Sequence, residues 1–184
     1  MNCWNCKEAC EHAICVSCGS VQPPPPQPNP FHVLRLRHSY FLEPQEIEKA
    51  YRTVSRKLHP DRFVRANAVT RRMVLQWMAA VNTSRKVLLN DSQRARWMAT
   101  GQAEPAEEKM SHDSEFLEMV FELQSQSMDE PEASKAGAQQ LMSALKQQIE
   151  TCFRDYEAGI GHLNAVPELL DQMQYLHKMR ILTE

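Results

Sequence analysis

Five of the six cysteines lie in the first 18 residues, as Cys3-x-x-Cys6 and Cys15-x-x-Cys18 with Cys10 between them. In a Cys-x-x-Cys turn two thiolates can grip one cation, and two such turns supply the four sulfurs of a tetrahedral zinc site. Gly19 follows the second pair and permits the left-handed backbone that such a turn favours. Cys3, Cys6, Cys15 and Cys18 are therefore the expected ligands of one structural zinc. So short a segment has almost no core, and the metal would supply most of its folding free energy, on the order of 10 kcal/mol. Cys10 and His12 are spare donors; Cys10 is either a free thiol, which the symmetry of the two pairs favours, or a substitute for one of the four. The competing chemistries are disulfides, which the lack of a recognisable secretory leader disfavours, and thiol–disulfide exchange. The latter would set the motif on a strand-to-helix turn of a larger fold. Cys152 falls on the apolar side of a helical pattern and reads as a small buried hydrophobe.

The second constellation is His59-Pro60-Asp61. Before it, Glu43-Pro44 marks a helix start with proline at the first helical position, and Ile47, Tyr51, Val54 and Leu58 recur at three- and four-residue steps to form an apolar stripe. Lys49, Arg52 and Arg56 fall on the opposite side as a positive ridge. Pro60 disfavours helical geometry at His59, so His59 and Asp61 should be exposed in a loop beside that ridge. The series Val74, Trp77, Met78, Val81 and Leu88 predicts a second long helix, antiparallel to the first. A short helix before this pair (Phe31, Val33, Leu34) and one after it (Asp91 to Ala99) complete the unit.

The stretches EIEKAYRTVSRKLHPDRF at 46–63 and VNTSRKVLLNDSQRARW at 81–97 resemble the J-domain family, over roughly residues 30 to 101. The resemblance implies that Lys49, Arg52, Arg56, Lys57, His59, Pro60 and Asp61 dock on an ATP-bound chaperone of the seventy-kilodalton heat-shock class. Docking would trigger that partner's ATP hydrolysis; the J-protein is not itself the ATPase. Two residues depart from the family pattern: Arg35 replaces a small residue, and Arg85 stands where an aromatic is usual.

The 184 residues carry a net charge of −2 that conceals a division: residues 31–103 hold 14 Lys/Arg against five Asp/Glu, and residues 104–184 hold six against 16. A basic middle and an acidic end suggest modules with different partners. No run of 18 apolar residues is present, so no membrane span is expected. With neither a secretory leader nor an Arg-rich transit peptide, the expectation is a bacterial cytoplasmic protein or a processed form in the mitochondrial matrix. The acidic end and the lack of aromatic–basic alternation near the cysteines, Trp4 apart, oppose the rival reading of a zinc-knuckle nucleic-acid binder.

The expected organisation is all-α: a zinc-knuckle module at 1–22, a proline-rich linker at 23–30, a J-domain helical hairpin at 31–101, a linker at 102–112 and a three-helix bundle at 113–184. PPPPQPNP at 23–30 should form a stiff polyproline strut of about 25 Å, at roughly 3.1 Å per residue, that separates and decouples the module from the helices. The bundle helices are expected at about Asp113–Ser127, Glu132–Ala158 and Pro167–Leu182. In the first, Phe116, Val120 and Leu123 form one stripe and Leu117 and Phe121 a second, beside Glu118 and Glu122. Spacing alone leaves two alternatives: an exposed protein-binding strip, or a broad face buried on both sides.

Taken with DSEFLEMVFEL at 113–123, the order of modules resembles the HscB-type co-chaperones of iron–sulfur cluster biogenesis, in the variant with an N-terminal metal module. The resemblance implies that the bundle binds the U-type scaffold on which clusters are assembled, through Leu117, Phe121, Glu122 and Tyr175, and that the J-domain presents the loaded scaffold to the chaperone. Glu118 and Ser125 depart from the family pattern at the edge of that patch. A general J-protein with another client is the remaining alternative.

Overall fold

The computed structural model describes residues 2–105 and 114–179. The expected first residue of the bundle, Asp113, the expected end at Leu182 and most of the 102–112 linker lie outside them. Among the described residues the protein is all-α, with only isolated bridges Asn2–Ala9 and Ile14–Val21 of extended pairing. The chain forms two compact units, Met1–Asp91 and Ser92–Glu184.

In the first unit, α1 (Pro30–Leu34) is capped by Asn29, whose side chain accepts from the Phe31 and His32 N–H groups, and it ends on Arg35 with φ 58°. The small-residue position of the family is thus a left-handed cap, which costs a non-glycine residue roughly 1–2 kcal/mol. Helix α2 (Pro44–Leu58) starts with proline and stops before His59, whose extended backbone (φ −60°, ψ 130°) obeys the proline that follows. A 3-10 turn, Pro60–Phe63, then leads to α3 (Ala68–Leu89), capped by the Asn67 side chain. Glu48 pairs with Arg85 and Tyr51 with Asn82, one position rising as the other falls, so α2 and α3 run antiparallel. Their apolar stripes, with Phe31 and Leu34, bury Ile47, Val54, Leu58, Val74, Trp77, Val81 and Leu88. Arg85 fills the family's aromatic position by lying over the Tyr51 ring, 5.0 Å from its centre, while holding Glu48.

The second unit contains most of α4 (Asp91–Thr100) together with α5 (Ser114–Asp129), α6 (Pro131–Glu157) and α7 (Val166–Lys178). Phe116, Val120, Leu145, Leu176 and Met179 form one cluster of its core, with Leu169, Met173 and Tyr175 packed against them; Ile149, Phe153, Val166 and Leu170 are buried as well. Close approach of α5 to α6 depends on Gly137, where an added Cβ would stand 2.6 Å from Leu123 Cδ2, and on Ser134, whose buried hydroxyl donates to the Leu123 carbonyl at 2.6 Å. Cys152 is half-buried, not fully enclosed as its place in the pattern suggested, because it lies beside the stripe of Ile149 and Phe153.

Arg96 of α4 is buried and ion-pairs with Asp171 of α7. Breaking a buried pair strands one charge, at about 3–5 kcal/mol, whereas replacing both partners by apolar groups is often neutral. Asp171→Ala is therefore expected to destabilise this unit by about 3 kcal/mol in urea titration, and Arg96→Met/Asp171→Leu to recover most of the loss. Equal losses in the two variants would contradict a role for the pair.

Candidate functional site

The two cysteine turns are built alike. Cys3 N–H donates to Glu8 O at 2.8 Å and Lys7 N–H to Cys3 O at 3.0 Å; Cys15 N–H donates to Ser20 O at 2.9 Å and Gly19 N–H to Cys15 O at 2.9 Å. The residue after each pair is left-handed, Lys7 at φ 67° and Gly19 at 73°. Sequence reasoning identified the glycine and missed its lysine counterpart, whose Nζ donates to Trp4 O at 2.9 Å. The pseudo-symmetry brings the sulfurs of Cys3, Cys6, Cys15 and Cys18 within 4.8 Å of one another. Cys3 and Cys18 sulfurs are 3.6 Å apart and those of Cys6 and Cys15 3.7 Å. Four sulfurs placed tetrahedrally about 2.3 Å from a zinc-sized ion would lie about 3.8 Å apart, so the set fits such a cation. Cys10 stands outside it, buried, with its thiol donating to His12 O at 3.3 Å.

Ionisation of the set is uneven. The Ser20 hydroxyl and backbone N–H draw the Cys18 thiol down to about 6. At Cys6 the Glu8 backbone N–H favours the thiolate, but desolvation and the hydrogen bonds with Cys18, Cys3 and Cys15 outweigh it and push the thiol up to about 12. A divalent cation removes that penalty, because it stabilises all four thiolates at once.

The expected decoupling of this module by a proline strut is not what the structure shows. The chain bends at Pro26 and Gln27, and the module lies against the helical hairpin of the same unit. Gln22, 2% exposed, is the link. Its side chain donates to Cys3 Sγ at 3.2 Å and to Ser20 O at 2.9 Å and accepts from Trp4 N–H at 3.1 Å; its backbone carbonyl accepts from Trp77 Nε1–H at 2.6 Å. A buried indole needs an acceptor, and no residue of the hairpin stripe offers one, so the module supplies it. Removing the metal is therefore expected both to unfold residues 1–22 and to loosen the hairpin. Loss of about 1 kcal/mol would lower the melting midpoint of a unit this size by roughly 4–8 °C. Circular dichroism melts with and without a strong chelator check this; identical midpoints would restore the decoupled picture.

Along α2, Lys49, Arg52, Thr53, Arg56, Lys57 and Arg62 line a shallow groove of about 720 Å³. Glu48 also borders it, but its carboxylate is held by Arg85, so the ridge stays positive. Arg62 is an addition the helical periodicity could not supply, since it lies beyond the helix on the 3-10 turn. At the end of the groove His59 and Asp61 have side-chain exposures of 54% and 85%, with His59 Nδ1 3.4 Å from both Asp61 N–H and Asp61 Oδ2. Pro60 is half-buried and opens the 3-10 turn that holds both in place.

In the second unit α5 turns Phe116 and Val120 inward and leaves Leu117 and Phe121 outward, Phe121 at 70% exposure. Of the two alternatives that spacing left open, the outward stripe is the one formed. Glu118 and Glu122 are exposed beside it. Tyr175 is half-buried, its ring edge-on to Phe116 with centres 5.9 Å apart.

No family model matches the chain. Co-chaperone protein HscB homolog of Bordetella pertussis is 29% identical over 144 residues, 77% of this chain and 78% of its own length. The iron-sulfur cluster co-chaperone protein HscB homolog of Arabidopsis thaliana is 27% identical over 160 residues, 85% of this chain and 63% of that one. The crystal structure of human co-chaperone protein HscB superposes with a TM-score of 0.72 at 20% identity, covering 96% of this chain and 93% of that one. Chaperone HscB from Vibrio cholerae gives a TM-score of 0.60 at 20% identity, over 82% and 92%.

Proposed function

We propose that this chain, similar along most of its length to HscB co-chaperones, serves iron–sulfur cluster biogenesis by joining a U-type scaffold to an ATP-bound chaperone of the seventy-kilodalton heat-shock class. The observation that carries this reading is an exposed His59-Pro60-Asp61 turn at the end of a continuous positive groove. Lys49, Arg52, Arg56 and Lys57 steer and hold an acidic partner surface, and the fixed turn engages it where ATP hydrolysis is triggered. The chain thus regulates a partner's ATPase without being an enzyme itself. Phe121 and Leu117 are the apolar anchors for the scaffold, with Glu122 and Tyr175 at their border. Cys3, Cys6, Cys15 and Cys18 hold one structural zinc, the d¹⁰ cation that suits four thiolates in a closed tetrahedron.

We place the protein in the bacterial cytoplasm, or in the mitochondrial matrix if it is a processed eukaryotic form; none of its described helices is long and apolar enough to cross a membrane. Calorimetric titration of the zinc-loaded chain into purified scaffold tests the client. Saturable one-to-one heat is expected, and its absence would leave a J-protein with some other client.

A further inference from the structure

Thr53, Lys57 and Arg62 line the positive groove of α2 and also a second, deeper pocket of about 430 Å³. One wall of that pocket is the cysteine module, with Glu11, Ile14, Cys15 and Val16; the other is helical, with Val33, Val54, Leu58 and Trp77. Its size lies within the roughly 300–1,000 Å³ of ligand pockets, so a side chain can enter it. Val33, Val54, Leu58 and Trp77 are all buried, while Val16 on the module is 84% exposed. Sites for free small molecules place a few polar groups to orient the ligand. Here the one polar group of the buried floor is already used, Trp77 Nε1–H donating to Gln22 O at 2.6 Å, and at the edge the Thr53 hydroxyl donates to Lys49 O at 2.8 Å. Polar and charged groups sit at the rim instead, where Arg35, Lys57 and Arg62 face a single Glu11 and the half-buried His12 and exposed His32 imidazoles lie with ring centres 6.4 Å apart.

An apolar floor whose one polar group is engaged, a mainly cationic rim and continuity with the positive groove suit an apolar side chain carried on an acidic segment of the partner already docked there. We propose that this pocket extends the chaperone-docking surface and takes an apolar side chain from an acidic segment of the same ATP-bound chaperone. The cysteine module is then one wall of the interface. This rests on the docking role given above to the α2 groove. Because the wall is folded by its metal, chaperone affinity depends on metal loading.

The test is surface plasmon resonance of the full, zinc-loaded chain over an immobilised, hydrolysis-deficient chaperone in ATP. Val16→Asp puts a charge where the anchor enters and is expected to weaken binding about tenfold, in the range of a single interface anchor. Glu11→Lys removes the one repelling charge and is expected to tighten binding about two- to threefold, mainly through the association rate. Arg52→Ala, in the groove alone, is expected to weaken binding as well. Both substituted module residues are exposed, and metal content verifies that the module is folded; should Val16→Asp lose metal, Glu11→Lys alone carries the test. Unchanged binding in both module variants while Arg52→Ala loses affinity overturns the pocket and leaves the groove. Unchanged binding in all three overturns the docking reading itself.

Discussion

His59→Gln is expected to leave the fold intact and to reduce stimulation of the chaperone's ATPase to background. The imidazole is more than half exposed, and its close partner among the described residues is Asp61 two residues on. Loss of such a contact changes stability by about 0.5 kcal/mol or less, as for surface positions generally. Function is another matter, because the turn is shaped by elements on either side of it: Pro60 ends α2, and the 3-10 turn carries Asp61 and Arg62 back toward the groove. A docking loop acts through a fixed arrangement of donor, ring and carboxylate, and glutamine retains neither the imidazole shape nor its pair of nitrogens. Single-turnover hydrolysis at saturating co-chaperone, with circular dichroism as the folding control, separates the two effects. Stimulation equal to that of the unsubstituted chain would remove the J-domain role from this turn.

Leu117→Ala/Phe121→Ala is expected to weaken scaffold binding by two to three orders of magnitude, since interface anchors cost about 2 kcal/mol each and tenfold in affinity is about 1.4 kcal/mol. The melting temperature should barely move, because both side chains point away from the Phe116 and Val120 core. Tyr175→Ala is expected to behave differently. Its ring packs on Phe116, so truncation should lower stability as well as affinity. A double variant that binds normally would exclude this face, and one that melts early would mean that the stripe supports the bundle.

These contrasts also mark how far the residues alone could lead. The α2 boundaries were legible because proline acts locally at both ends: Pro44 opens the helix and Pro60 closes it. The α5 to α6 break at Asp129-Glu130-Pro131 followed for the same reason. The start of α3 was not legible, since its first turn is polar or exposed and only the Asn67 cap, whose side-chain oxygen accepts from Thr70 N–H, announces it. The four thiolates could be chosen from spacing because each turn closes on itself through local hydrogen bonds. Docking of the module on the hairpin could not, because it depends on one buried indole finding one carbonyl 55 residues away. A cue existed even so: Trp77 sits in an apolar stripe without an acceptor of its own. Which stripe of α5 faces outward was likewise undecidable from periodicity. It is decided by Gly137 and Ser134 of α6, which draw the Leu123 side of α5 inward.

That one chain couples a cluster scaffold to a chaperone is tested most directly by single-turnover ATP hydrolysis with the three proteins together. Hydrolysis with chain and scaffold both present is expected to exceed the sum of their separate stimulations, and Leu117→Ala/Phe121→Ala to lose that excess while keeping stimulation by the chain alone. Rates that simply add, with the double variant indistinguishable from the unsubstituted chain, would contradict the coupling.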